Sequence, residues 1–173
     1  MDAPSIRPAL MDMASRLATV GYYVMLPFLF YRGSEYREFG QSDEDMHLRR
    51  DLMATVSRAG IVDDAEALLE VAASDPAARG GDIGAVGFCM SGRLQLDGIR
   101  AEVYLGWPDQ DPSAPREHIP IIEQALTEAG VEHRIDFMEG ALHGFAPPGG
   151  ERYDRAASEK HWERVFELFR RKL

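Results

Sequence analysis

The hexapeptide Gly87-Phe88-Cys89-Met90-Ser91-Gly92 directly follows the apolar run Ile83-Gly84-Ala85-Val86. It reads as a buried strand that turns sharply and presents one nucleophile. The nucleophile of such an elbow sits in a strained turn, so the residues two before and two after it must be small. Cys89 meets that condition, with Gly87 before it and Ser91 after it. Ser91 does not, because Cys89 precedes it and Arg93 follows. The thiol, not the hydroxyl, is therefore the candidate nucleophile. The plain alternative is a structural cysteine buried at a strand end, where free cysteines are common.

At 173 residues the chain is expected to form one domain, residues 1–173, with a real core. An apolar fraction of 45% with mixed charge fits a globular protein. The net charge of -10 argues against nucleic acid as a partner, since phosphate contacts need a basic surface. A membrane partner is not expected either. There is no polybasic segment, and no apolar stretch approaches the ~20 residues of a span. Asp2 and Pro4 break any signal-peptide pattern, and a single cysteine fits a reducing cytoplasm. No Cys/His cluster has metal-ligand spacing and no glycine-rich phosphate loop is present, so neither metal nor cofactor is expected.

Along the chain, Pro8 to Thr19 predicts a helix with proline in its first turn and Gly21 beyond its end. Tyr22 to Leu26 predicts a strand closed by Pro27, and Phe30 to Asp45 a loop able to cover a site. Met46 to Arg58 and Asp63 to Ala73 predict helices, the second with Ala65, Leu68, Leu69 and Ala72 on one face. Strands are expected at Ile83 to Phe88, Ala101 to Leu105 and Ile135 to Met138. Helices are expected over Arg116 to Ala129 and Ala156 to Phe169, the last with Trp162, Val165, Phe166 and Phe169 facing in. Strands alternating with helices predict an α/β fold, a mostly parallel sheet flanked by helices.

In such sheets the functional site lies beyond the carboxyl ends of the strands. That edge would carry the elbow at Cys89, the acidic loop at Asp109 and Asp111, and the loop at His143. His143 sits in Gly140-Ala141-Leu142-His143-Gly144-Phe145, a glycine-flanked turn suited to a general base. A paired histidine and a helix N-terminus would both favour the thiolate of Cys89. The base needs an acid to fix its tautomer. Asp111 is the first choice and Asp109 the second, the alternative for both being ordinary turn residues. His47, His118, His133 and His161 read as surface or boundary residues. Nucleophile, acid and base in that order is the chain order of an α/β-hydrolase triad.

Several segments together resemble the dienelactone hydrolase family, the thiol-using branch of the α/β-hydrolases. They are Asp2-Ala3-Pro4-Ser5-Ile6-Arg7-Pro8, Gly21-Tyr22-Tyr23-Val24, Pro27 to Arg32, the elbow, Ala101-Glu102-Val103-Tyr104-Leu105-Gly106 and Leu142-His143-Gly144-Phe145. The resemblance implies a Cys89, Asp111, His143 triad that cleaves a small ester or lactone through an acyl-thioester. It implies an oxyanion hole from the backbone N–H groups of Met90 and Ala3. It matches Asp2 to an acidic residue beside the thiol. It matches Arg32 to one of two arginines that hold a substrate carboxylate, while the second falls at Pro147.

The chain also departs from that family, as an α/β-hydrolase-like fold truncated at the N-terminus and after the nucleophile elbow. The family's first strands have no counterpart before Asp2. Arg93 runs almost directly into Leu94-Gln95-Leu96-Asp97-Gly98-Ile99, where the family has a helix, a strand and a loop. Residues 89 to 100 barely supply a crossover, which needs about a dozen residues or more. Two expectations follow. A chain break between Arg93 and Leu94 would mean a complete enzyme whose intervening segment is absent from these residues. A continuous chain would leave an exposed apolar face beside Val86 and little or no esterase activity. The rival functions are an inactive remnant serving as a binding or dimerisation module, such as a homodimer, and a redox-sensing thiol at Cys89.

Overall fold

In the computed structural model, which describes residues 1–94 and 99–173, the chain divides into two compact units. One comprises Met1–Gly81 with Ala85–Leu96, the other Asp82–Gly84 with Asp97–Leu173.

The first unit is helical. Helix α1, Pro8–Ala18, has proline in its first turn and buries Leu10, Met13 and Leu17, the spacing of one helix face. Gly21, at φ 104°, follows its end. Helix α2, Asp43–Thr55, starts three residues before the expected position. The reason is Ser42, whose hydroxyl accepts from the Asp45 N–H, with Asp43, Glu44 and Asp45 placed on the positive end of the dipole. Ser57 restarts the chain by the same device, accepting from Gly60 N–H, so α3 spans Arg58–Ser74. The expected apolar face of α3 is not buried: no residue of this helix is, and Leu69 and Val71 are largely exposed.

The segment from Phe30 to Gln41 is a loop, as expected, but an anchored one. Phe30 and Phe39 are buried and meet edge to face, 5.9 Å between ring centres. Tyr36 donates to the Ile6 carbonyl and Phe39 N–H to that of Pro4.

The second unit holds the sheet. Strand β1, Val103–Gln110, pairs in parallel with β2, His133–Leu142, in the register Val103 to His133 through Pro108 to Met138. A 3-10 turn, Arg116–His118, and helix α5, Ile119–Glu128, make the crossover. Helix α6, Arg155–Lys172, buries Ser158, His161, Trp162, Val165 and Phe169, with Phe166 half-buried against Trp162. His161 is thus a core residue, not the boundary residue its polarity suggests.

β1 continues five residues past its expected end, through Pro108. Proline removes one donor, which costs little where the strand is paired on one side only, as here among the described residues. The expected strands at Tyr22 to Leu26 and Ile83 to Phe88 are corrected: neither segment is part of the sheet among the described residues. An apolar run signals a strand only where a neighbour completes its ladder, and none does so here among the described residues. The parallel sheet flanked by helices is present, with two described strands.

Candidate active site

The elbow is built from local contacts. Cys89 stands at φ 54°, a left-handed conformation that costs a residue with a side chain about 1–3 kcal/mol. Helix α4, Met90–Leu94, begins at the next residue. Ser91, buried, closes the turn: its hydroxyl accepts from Phe88 N–H at 3.0 Å and donates to the Phe88 carbonyl at 3.1 Å. Its own N–H donates to the same carbonyl at 3.2 Å. Gly92 backs onto Gly87, where a Cβ would come 3.1 Å from the carbonyl oxygen. The close approach therefore lies between Gly87 and Gly92, and Ser91 contributes hydrogen bonds that glycine lacks. Cys89 itself is exposed, which removes the buried structural cysteine.

α4 runs without interruption through Arg93 and Leu94, so the chain is not broken there. The expected turn at Asp97–Gly98 lies outside the described residues. Ile83 is 66% exposed and Val86 half-buried.

Asp2 and Ala3 are buried in the first unit, as is Met90. Asp2 is ion-paired with Arg7, which also donates to the Ser5 carbonyl. Ser5 is fully buried at φ 78°, and its N–H donates to the Asp2 carbonyl at 3.1 Å. Asp2, Ala3 and Ser5 therefore form one tight, Arg7-clamped turn. Arg32 grips Asp64 of α3 with both guanidinium nitrogens, at 2.9 and 2.7 Å, and lies over the Tyr31 ring. This pairing raises the Arg32 pKa further through the Asp64 hydrogen bonds.

In the second unit the acid and base meet. Asp111 Oδ2 lies 2.6 Å from His143 Nδ1. Asp111 Oδ1 accepts from Ser113 twice, from its N–H at 2.9 Å and its hydroxyl at 2.6 Å. Burial pushes the Asp111 carboxyl up, but the hydrogen bonds from Ser113 and His143 outweigh it and hold the group below the usual range. An ionised carboxylate can only accept, so Nδ1 carries the proton and Nε2 is the basic nitrogen of the ring. The ring side chain is about one-third exposed, at 32%. Trp107 pins the Asp111 loop by donating to the Ala114 carbonyl at 2.8 Å.

Asp109, the second choice of acid, is occupied elsewhere: its Oδ2 accepts from Gly140 N–H at 3.1 Å. Ser113, Arg7 and Asp64 escaped sequence reasoning. Only Ser113 carried a readable sign, the Asp-x-Ser spacing of a side chain that bonds its own backbone two residues on. Cys89, Met90, Ala3, Asp2 and Arg32 belong to the first unit, Asp111 and His143 to the second.

The sequence model of the dienelactone hydrolase family matches residues 6–103 and 95–173. A carboxymethylenebutenolidase homologue of Synechocystis sp. is 26% identical over 196 residues, covering 94% of this chain and 80% of its own length. One of Escherichia coli K12 is 25% identical over 197 residues, covering 92% and 70%. Both alignments are longer than the chain, so each relative carries residues without a counterpart here. A crystal structure of a dienelactone hydrolase-like protein from Klebsiella pneumoniae superposes with a TM-score of 0.73 at 18% identity, covering 97% of this chain and 83% of that one. A dienelactone hydrolase-like promiscuous phosphotriesterase from metagenomic libraries gives 0.74 at 17% identity, covering 99% and 83%. The fold is that of the α/β-hydrolases.

Proposed function

Because the chain belongs to the dienelactone hydrolase family, we propose that it hydrolyses a small ester or lactone through a thioester on Cys89. The observation that carries the reading is the Asp111–His143 pair, a buried carboxylate orienting an imidazole at 2.6 Å from a loop after a parallel strand. The strained, exposed Cys89 at the head of α4 supports it.

In the proposed reaction His143 Nε2 takes the thiol proton as Cys89 Sγ attacks the carbonyl carbon. The resulting oxyanion accepts from the N–H groups of Met90 and Ala3. The tetrahedral intermediate collapses, the C–O bond breaks, and the alkoxide leaves with the proton from His143. Water then gives a proton to His143 and attacks the thioester. The acid is released and the proton returns to Cys89 sulfur. Asp111 fixes the tautomer throughout and stabilises the imidazolium, without itself being protonated. Asp2 and Arg32 are the proposed substrate-side residues. The Asp64 pairing means Arg32 must exchange a carboxylate partner to hold an anionic substrate. The proposed setting is the cytoplasm, where the thiol stays reduced.

A second reading, a catalytically inactive homologue acting as a binding or dimerisation module, is favoured by the uninterrupted chain at Arg93 and Leu94, for which little or no esterase activity is expected, and by the segment before the elbow, which lies outside the sheet among the described residues. Turnover of a chromogenic short-chain ester decides between them. The proposed enzyme releases the chromophore with a burst and loses turnover as Cys89→Ala. Absence of turnover that depends on Cys89 would establish the second reading.

A further inference from the structure

Strand β2 carries a bulge immediately before the proposed base. Pro108 pairs with Met138 and Gln110 with Leu142, so the single residue Asp109 stands opposite Glu139, Gly140 and Ala141. The surplus residues bow out at Gly140, which takes φ 74°. A bulge bends a strand and re-aims the side chains beyond it. Left unheld, it is also a place where a strand end shifts.

Here the bowed peptide is gripped on both sides. Gly140 N–H donates to Asp109 Oδ2 at 3.1 Å, and the Gly140 carbonyl accepts from Gln110 Nε2 at 3.3 Å. Three residues on, His143 N–H donates to the Gln110 carbonyl at 3.2 Å. The next residue, Asp111, holds the His143 ring. Three consecutive residues at the end of β1 thus fasten the base loop at its bulge, at the His143 backbone and at the imidazole.

We propose that Asp109 and Gln110 are positioning residues that lock the Gly140 bulge and so deliver the His143 ring to Asp111. Its catalytic consequence rests on the hydrolase reading above, but the positioning itself does not. Asp109 acts here as a hydrogen-bond acceptor, not as a charge. An amide oxygen accepts from Gly140 N–H as a carboxylate oxygen does, so asparagine serves at 109. Asparagine does not serve at 111, where it would present the wrong tautomer partner to the ring.

The test compares Asp109→Ala, Asp109→Asn, Gln110→Ala and Asp111→Asn in the full chain. Amide hydrogen exchange by NMR is followed at Gly140 and His143, and kcat and KM are measured on the short-chain ester. Asp109→Ala is expected to speed exchange at both amides about fivefold and to lower kcat by a similar factor with KM unchanged, on the order of one lost hydrogen bond. Asp109→Asn is expected to match the wild type in both measurements, and Gln110→Ala to follow Asp109→Ala if the latter fails to fold. Unchanged His143 exchange in Asp109→Ala overturns the proposal. So does an Asp109→Asn as inactive as Asp111→Asn, which would make Asp109 an acid. If the wild type shows no Cys89-dependent turnover, the hydrolase reading fails and the exchange measurement alone decides the positioning.

Discussion

Asp111 divides its carboxylate between two partners, Oδ1 to Ser113 and Oδ2 to His143 at 2.6 Å. Ser113 therefore does for the acid what the acid does for the base: it fixes an orientation and favours one protonation state. Asp111→Asn keeps the shape and loses the tautomer control, and is expected to lower kcat by about 10³–10⁴-fold. Ser113→Ala should act on the same site by a smaller step. With two hydrogen bonds reduced to one, burial weighs more and the Asp111 carboxyl rises. The acid limb of the kcat/KM profile then moves to higher pH. A Ser113→Ala profile that superposes on the wild type would show that Ser113 does not tune the acid.

His161 makes the second unit acid-sensitive. It is buried on α6 between Tyr104 and Phe145, and burial lowers its pKa from 6.5 to about 4. The unfolded chain therefore binds a proton there at a higher pH than the folded one. Stability is full above pH 6.5 and falls as the pH drops toward about 4, by roughly 3 kcal/mol over that window. Asp111, held low instead, loses its contribution only as the pH falls through its own folded value, below this window. Denaturant melts at pH 7 and 4.5 should show the loss, and His161→Gln should flatten it. An equally steep fall in His161→Gln would assign the acid sensitivity to other groups.

The helices were largely legible because their signals are local. Pro8, Gly21 and the stripe Leu10, Met13, Leu17 define α1 without reference to the rest of the chain. The strands were not, because an apolar run states burial and not pairing. Ile83 to Phe88 and Val103 to Gln110 look alike in sequence, yet only the second has a parallel neighbour among the described residues. At the site, residue types were readable and their division of labour was not. Asp109 and Asp111 are indistinguishable as letters two apart. The Gly140 bulge offers its N–H to one carboxylate, and the loop beyond it brings the imidazole to the other. His161 was misread because polarity outweighed its place on the 158, 161, 165, 169 stripe.

Ser91 offers a direct check on the nucleophile. Both of its polar functions are spent on Phe88. Ser91→Ala leaves the Phe88 N–H short of a partner in a half-buried turn, at a cost of about 1–3 kcal/mol. The melting temperature should fall while Cys89-dependent turnover persists at a reduced level. Abolition of turnover in Ser91→Ala, with activity retained in Cys89→Ala, would transfer the nucleophile to the hydroxyl.

Ile83 stands 66% exposed in a segment outside the sheet whose next residue, Gly84, lies against Phe169 and Leu173 at the end of α6. A Cβ at 84 would meet Phe169 at 2.7 Å, so the segment is packed on one side and open on the other. An exposed branched apolar side chain on a segment outside the sheet is a site that a second chain can cover. Burying one such isoleucine is worth about 1.5–3 kcal/mol per copy, enough to bias an encounter without making a permanent dimer. Concentration-dependent self-association is therefore expected in light scattering, and Ile83→Lys should suppress it because a charge there resists burial. The substitution lies outside the Asp111–His143 contacts, so ester turnover should survive it. Association of equal strength in Ile83→Lys would place the contact on another surface, and a wild type that stays monomeric at high concentration would show that this segment is not adhesive at all.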